Sequence, residues 1–285
     1  MVKKGNQFTV IFGNVMLLLG FWVTPAFAQS VAVTHCQGEC PQYTSQLTAN
    51  RSNVVIHHLY AAGINGETGV PDWSAYRLTG EAIGVASLLP RTWQPDRLVA
   101  FTPLEDIITT GEAEFRLSQS ISNSNNPYAG TGATTVKPED RARLAPMTSF
   151  ANTPYWSDLN NFSNMVPMPS ALRLGPWLRL EQRINSLAKE KGELYVITGP
   201  LYLIDNLSVA PSSQGLNPAA YYKIVLEGSD AATFVFPENL SQTDNVCDYL
   251  GDYQDVEKVS GIRFFPSNTG VRQSEALISD LGCAN

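Results

Sequence analysis

The sequence predicts an α+β fold, and three observations carry that reading. Strand-like runs recur from Val54 onward, two segments show helical spacing or caps, and the two kinds do not alternate regularly. Val54-Val55-Ile56 opens the first strand-like run. "PDWSAYRLTG" (Pro71 to Gly80) alternates aromatic and polar residues, as a half-buried strand does. Residues 119–135 are rich in Ser, Asn, Gly and Thr and read as a long polar loop. The stretch from Pro146 to Pro169 is again loop-like. In "GPWLRLEQRINSLAKEKG", Pro176 suits a first helical turn and Trp177, Leu180, Ile184 and Leu187 share one face. Gly192 supplies the stop. "ELYVITGPLYLI" (Glu193 to Ile204) reads as a buried strand broken at Gly199-Pro200. "YYKIVLEG" and "ATFVFPEN" pair as a hairpin around Gly228-Ser229-Asp230. "DYQDVEKVSGIRFFP" begins as a short capped helix.

The N-terminus reads as a leader. Lys3 and Lys4 precede the mostly apolar run Val10 to Val23, and Ala26-Phe27-Ala28 forms an A-x-A cleavage pattern. Cleavage after Ala28 would release a secreted or periplasmic chain of 285 − 28 = 257 residues, read as one domain over 29–285. No later stretch is apolar enough to span a membrane. The leader takes two of the 19 basic residues and none of the 26 acidic ones, leaving 17 − 26 = −9. That balance argues against nucleic-acid binding by bulk charge and allows it only through a local basic patch. Cys36, Cys40, Cys247 and Cys283 make an even count, which in an exported chain reads as two disulfides. Three pairings are open, and local with local is favoured: Cys36–Cys40 and Cys247–Cys283.

Seven segments occur in a recognisable order: "PDWSAYRLT", "EDRARLAP", "NNFSNMVP", "GPWLRLE", "LYVITGPLY", "YYKIVL" and "DVEKVSGIRFF". Together they resemble the secreted DNA/RNA non-specific endonucleases of the ββα-metal type, from about Val54 to Pro266. The resemblance implies a mainly antiparallel central sheet flanked by helices. It also implies phosphodiester hydrolysis assisted by one Mg²⁺. The tight N-terminal cysteine pair and the C-terminal pair are likewise similar to secreted members.

The family signature is Asp-Arg-Gly-His, and here it stands as Asp140-Arg141-Ala142-Arg143. The resemblance assigns the histidine as general base, a task that needs a group titrating near neutrality. A guanidinium stays protonated, so Arg143 cannot act as that base. Asn164 matches the family asparagine of the third segment, and the position nine residues on, which should be the metal-binding asparagine, is Arg173. Arginine has no lone pair for a hard cation. Glu181 matches the acidic residue that holds metal-bound water. The family's upstream phosphate arginine falls on Ala113, two residues before Phe115, with Arg116 on the other side. The histidines are His35, His57 and His58, all before the motif, and read as packing or surface residues.

Arg141, Asn164 and Glu181 therefore match family site positions, whereas Arg143 and Arg173 replace them. Two readings of the arginines stay open: a salt bridge from Glu181 to Arg173 or Arg143, and a metal-free phosphate or sulfate site built from Arg141, Arg143 and Arg173. The aromatics of "PYWSDLNNF" could stack on bases, although packing is the commoner use. At the level of function, the residues point to an exported, catalytically impaired family member that keeps affinity for DNA, RNA or another polyanion and needs no cofactor. The alternatives are an active Mg²⁺-dependent endonuclease with a rearranged site, and a non-enzymatic envelope interaction protein.

Overall fold

The computed structural model describes residues 33–46, 49, 52–65, 70–94, 96–99, 138–202, 218–267 and 270–283. The leader-like residues 1–28, the polar loop 119–135, and Ala113, Phe115 and Arg116 lie outside the described residues. Twelve strands are described: β1 (Gln42–Tyr43), β2 (Asn53–Ile56), β3 (Ala61–Ile64), β4 (Pro71–Thr79), β5 (Arg141–Arg143), β6 (Met165–Pro167), β7 (Glu193–Leu201), β8 (Ala220–Glu227), β9 (Asp230–Pro237), β10 (Leu250–Gly251), β11 (Ile262–Arg263) and β12 (Arg272–Gln273). Four helices accompany them: α1 (Ser170–Leu174), α2 (Pro176–Lys191), α3 (Tyr253–Ser260) and α4 (Glu275–Asp280).

The main sheet runs β10-β9-β8-β7-β4-β3-β2, with every neighbour antiparallel and β12 added in parallel to β9. Its central strands are apolar on both faces because both faces are covered. On one side, Trp177, Leu180, Ile184 and Leu187 of α2 pack with Tyr221 and Val225 of β8. On the other, Tyr222, Ile224 and Leu226 of the same strand meet Tyr253, Val256 and Phe264. The strand period of two sends alternate residues of β8 to opposite cores. Burying each large apolar side chain of α2 contributes about 1.5–3 kcal/mol, so this helix is a main anchor of the first core.

The local signals act as expected at several points. Pro176 is in the first turn of α2, and Gly192 ends it at φ 89°, a conformation that favours glycine. The β8–β9 hairpin closes through Gly228-Ser229, with Glu227 opposite Asp230. The Asp252 side chain accepts the Gln254 N–H at 2.7 Å and caps α3. The two disulfides are Cys36–Cys40 and Cys247–Cys283.

Two expectations are corrected. The strand expected to break at Gly199-Pro200 continues as β7 to Leu201. Its β4 register ends at Thr198, so Pro200 pairs with β8 alone, where a missing N–H is tolerated. A side chain at Gly199 would fall 2.3 Å from the Asp72 carbonyl oxygen, which explains the glycine. The expected loop from Pro146 to Pro169 instead holds three short 3-10 turns and strand β6.

Candidate functional site

The motif residues form a small ribbon beside the main sheet. β5 pairs antiparallel with β6, Arg141 opposite Pro167 and Arg143 opposite Met165. Ala142 is buried in the first core, so the alternation of a strand puts Arg141 and Arg143 together on the other face. The Tyr221 hydroxyl of β8 donates to the Pro167 carbonyl at 2.5 Å and ties the ribbon to the sheet. Asp140 joins the ribbon to α1: its carbonyl accepts the Met168 N–H at 2.7 Å and its Oδ1 accepts the Ser170 N–H at 2.9 Å.

Asn164 is fully buried and holds the chain just after the motif. Its Oδ1 accepts the Ala145 N–H at 2.8 Å, and its Nδ2 donates to the Ala145 and Leu159 carbonyls, each at 3.0 Å. The Asn164 backbone carbonyl accepts the Leu144 N–H at 3.0 Å. These bonds use both amide hydrogens and one lone pair of the oxygen, so this family-matched residue works here as a clamp.

The replaced positions behave differently. Arg143 Nη2 donates to Asn160 Oδ1 at 2.5 Å and to the Arg91 carbonyl at 3.1 Å. The guanidinium carbon lies 4.2 Å from the centroid of the Trp93 ring, a cation–π arrangement. Arg143 Nε is buried without a hydrogen bond. Arg173, in α1, donates through Nε and Nη2 to the Glu139 carbonyl at 2.9 and 2.6 Å. Burial, then the charges of Arg91 and Arg173, lower the Arg143 guanidinium to about 10. It remains a cation at neutral pH. Burial lowers Arg173 as well, opposed by Asp140, Glu181 and Glu139 and reinforced by Arg91. The charges of Arg143 and Arg173 thus act on one another, and Arg91 joins them as a third cation that the sequence patterns did not mark.

The expected salt bridge from Glu181 to an arginine does not form. Glu181 Oε1 accepts Lys223 Nζ at 3.1 Å, with the lysine side chain fully buried. The ammonium sits 4.1 Å from the Trp177 ring centroid. Burial raises the Glu181 carboxyl and lowers the Lys223 ammonium, while each partner's charge opposes the shift of the other. Lys223 faces α2 because it shares the β8 face of Tyr221 and Val225. A lone lysine inside "YYKIVL" was the available signal.

The residues do not fit a divalent metal. Arginines occupy the positions of the expected base and ligand, the Asn164 amide is committed to buried backbone groups, and Glu181 is bound to Lys223. Among the described residues, no three His, Cys, Asp or Glu side chains are grouped to hold an ion. The three histidines have partners of their own. His57 Nε2 lies 2.7 Å from Asp96 Oδ2, with both groups buried, and its ring packs on Tyr60. His35 Nε2 lies 2.8 Å from the His57 carbonyl oxygen, and His58 pairs with Asp158 at the surface.

Known proteins point the same way as the fold. Nuclease EXOG, mitochondrial, of Xenopus laevis is 27% identical over 164 residues, covering 51% of this chain and 44% of that protein. Nuclease C1 of Cunninghamella echinulata var. echinulata is 29% identical over 154 residues, covering 48% of this chain and 59% of that protein. The chain spans about half the length of the curated relatives it matches. A solved chain of the EndoG/EndoGI complex superposes with a TM-score of 0.56 at 19% identity, covering 76% of this chain and 86% of that one, and shares the fold. The family model of the DNA/RNA non-specific endonucleases matches residues 41–270, most of the sequence, and the chain belongs to that family.

Proposed function

We propose that this family member is catalytically impaired and binds nucleic acid or another polyanion through Arg91, Arg143 and Arg173 without a divalent metal. One observation carries the reading. Arg143 is largely buried beside two other arginines, its hydrogen bonds go to an amide and a carbonyl, and no carboxylate opposes its charge among the described residues. A phosphate or sulfate placed between the guanidinium groups would supply the missing counter-charge in bidentate geometry. Catalysis lacks its base, whose loss costs on the order of 10² to 10⁴ in rate. The leader and the two disulfides support export to an oxidising compartment, with residues 29–285 acting as one domain.

The test incubates purified mature protein with plasmid DNA and RNA, with Mg²⁺, Mn²⁺ or a chelator. The expected result is no metal-dependent cleavage, together with salt-sensitive binding that the chelator leaves unchanged. Family membership alone favours an active nuclease, and cleavage that needs metal and disappears in Glu181→Ala would establish that reading instead.

A further inference from the structure

We propose that the stacked His58–Tyr155 ring pair is a platform for an unpaired base, so that the arginine cluster selects single-stranded over double-stranded nucleic acid. The inference rests on the polyanion reading above and names the form of polyanion. The two rings lie 4.0 Å apart at 4°, nearly parallel. Tyr155 is 46% exposed and the His58 side chain 60%. Every other tyrosine, tryptophan and phenylalanine among the described residues is buried or half-buried. Trp93 is closer to the cations but is already taken, with Arg143 over its ring and Phe162 stacked at 6.2 Å. Trp156 packs against the first core.

The platform is anchored on the same piece of chain that receives Arg143. The 3-10 turn Trp156–Asn160 follows directly on Tyr155. Within it, Asp158 Oδ2 accepts the His58 backbone N–H at 3.3 Å and lies 2.8 Å from His58 Nδ1. Two residues later, Asn160 Oδ1 receives Arg143. At about 2.0 Å rise per residue, these two anchors sit about 4 Å apart along the turn. One short element therefore fixes both a phosphate-binding cation and an exposed, preordered π-face. Every base offers such a face when unpaired, and a duplex keeps its bases stacked on each other. Phosphate contacts alone would not favour the single strand, whose charge density is the lower of the two.

The experiment compares binding of three probes at low salt by fluorescence anisotropy: a short oligothymidylate, an abasic strand of equal length, and a duplex of equal length. Wild type should bind oligothymidylate on the order of tenfold tighter than the abasic strand. Tyr155→Ala should erase that difference without weakening the abasic strand, and Tyr155→Phe should retain it. Equal wild-type affinity for the base-bearing and abasic strands overturns the platform while leaving the arginine site standing. So does a Tyr155→Ala protein that binds oligothymidylate as wild type does. Failure of the underlying reading is separate: wild type binding none of the three probes, or Arg143→Ala binding the abasic strand undiminished, overturns the phosphate site and the platform with it.

Discussion

Kept and replaced positions of the same motif are built differently. Of the four positions that match the family, Asp140, Asn164 and Glu181 are each bonded into the protein: Asp140 to the start of α1, Asn164 to the Ala145 and Leu159 backbone, Glu181 to Lys223; Arg141 shares the β5 face of Arg143. Arg143 and Arg173 replace the family residue, and each donates only to neutral acceptors while its charge adds to that of Arg91. Keeping Asp140, Asn164 or Glu181 therefore says little about surviving catalysis here, because the fold itself uses these three. Of the two replaced residues, Arg143 carries the information about ligand, since Asp140, Glu139 and Glu181 partly offset the charge of Arg173 and no carboxylate among the described residues offsets that of Arg143.

Removing the buried partner of a kept residue should have the largest effect. Lys223→Met leaves the Glu181 carboxylate buried and unpaired, and urea unfolding should show a loss of about 3–5 kcal/mol. The double change with Glu181→Leu should recover most of it. A loss below about 1 kcal/mol for Lys223→Met would mean that Glu181 finds another cation, and the contrast between the two sets of residues would weaken. Next in size is Asn164→Ala, which strands buried backbone groups of Ala145 and Leu159 at about 1–3 kcal/mol. A near-neutral result would show that the clamp is dispensable.

The replaced side of the contrast should respond to ligand more than to mutation. Sulfate should raise the unfolding temperature of wild type, by the equivalent of about 2.7 kcal/mol at a concentration a hundredfold above its dissociation constant. Sulfate also stabilises proteins without binding, so the diagnostic quantity is the part of the shift absent in Arg143→Met. That part should fade as pH rises through about 10, where Arg143 loses its proton. Because its folded value is lowered, the cost of burying the charge is present below that pH and relieved above it. Arg143→Met without anion should accordingly be no less stable than wild type. An equal sulfate shift in both proteins would remove the anion site.

The smallest effect concerns His57–Asp96, a buried pair beyond Asn161. Burial alone would raise the Asp96 carboxyl, but hydrogen bonds from His57, Ser163 and the Leu98 N–H outweigh it and hold the group below its ordinary value. A depressed carboxyl contributes stability above its unfolded value near 4, and that stability is lost as pH falls through the folded value. Asp96→Asn should flatten this acid limb in pH-dependent unfolding. An unchanged acid limb would show that the pair carries no net stabilisation.

Helix α2 was legible because its signals are local: a proline at the start, an apolar face at helical spacing and a glycine at the end. The β8–β9 hairpin was legible for the same reason. β7 was misjudged at Gly199-Pro200 because a proline's tolerance depends on which neighbouring strand is absent. Strand β6 escaped notice because three residues of "MVP" carry no period of their own and gain strand form only by lying against β5. The positions of Arg143 and Arg173 were readable from motif spacing. Their true neighbours, Asn160, Arg91 and Trp93, come from segments separated in sequence and were not.

The sequence by itself determined which residue types stand at the motif positions. Two guanidinium groups stand at the positions where the family resemblance expects a base and a metal ligand. Only the tertiary structure decided how the charges are matched. Lys223 lies 42 residues from Glu181 and meets it because the period of β8 turns the lysine toward α2. Arg143 meets Asn160 and Trp93 because β5, the Trp156–Asn160 turn and the segment from Arg91 fold onto one another. Which buried charges find partners, and which are left for a ligand, is set by strand register and packing, and neither is written in local sequence.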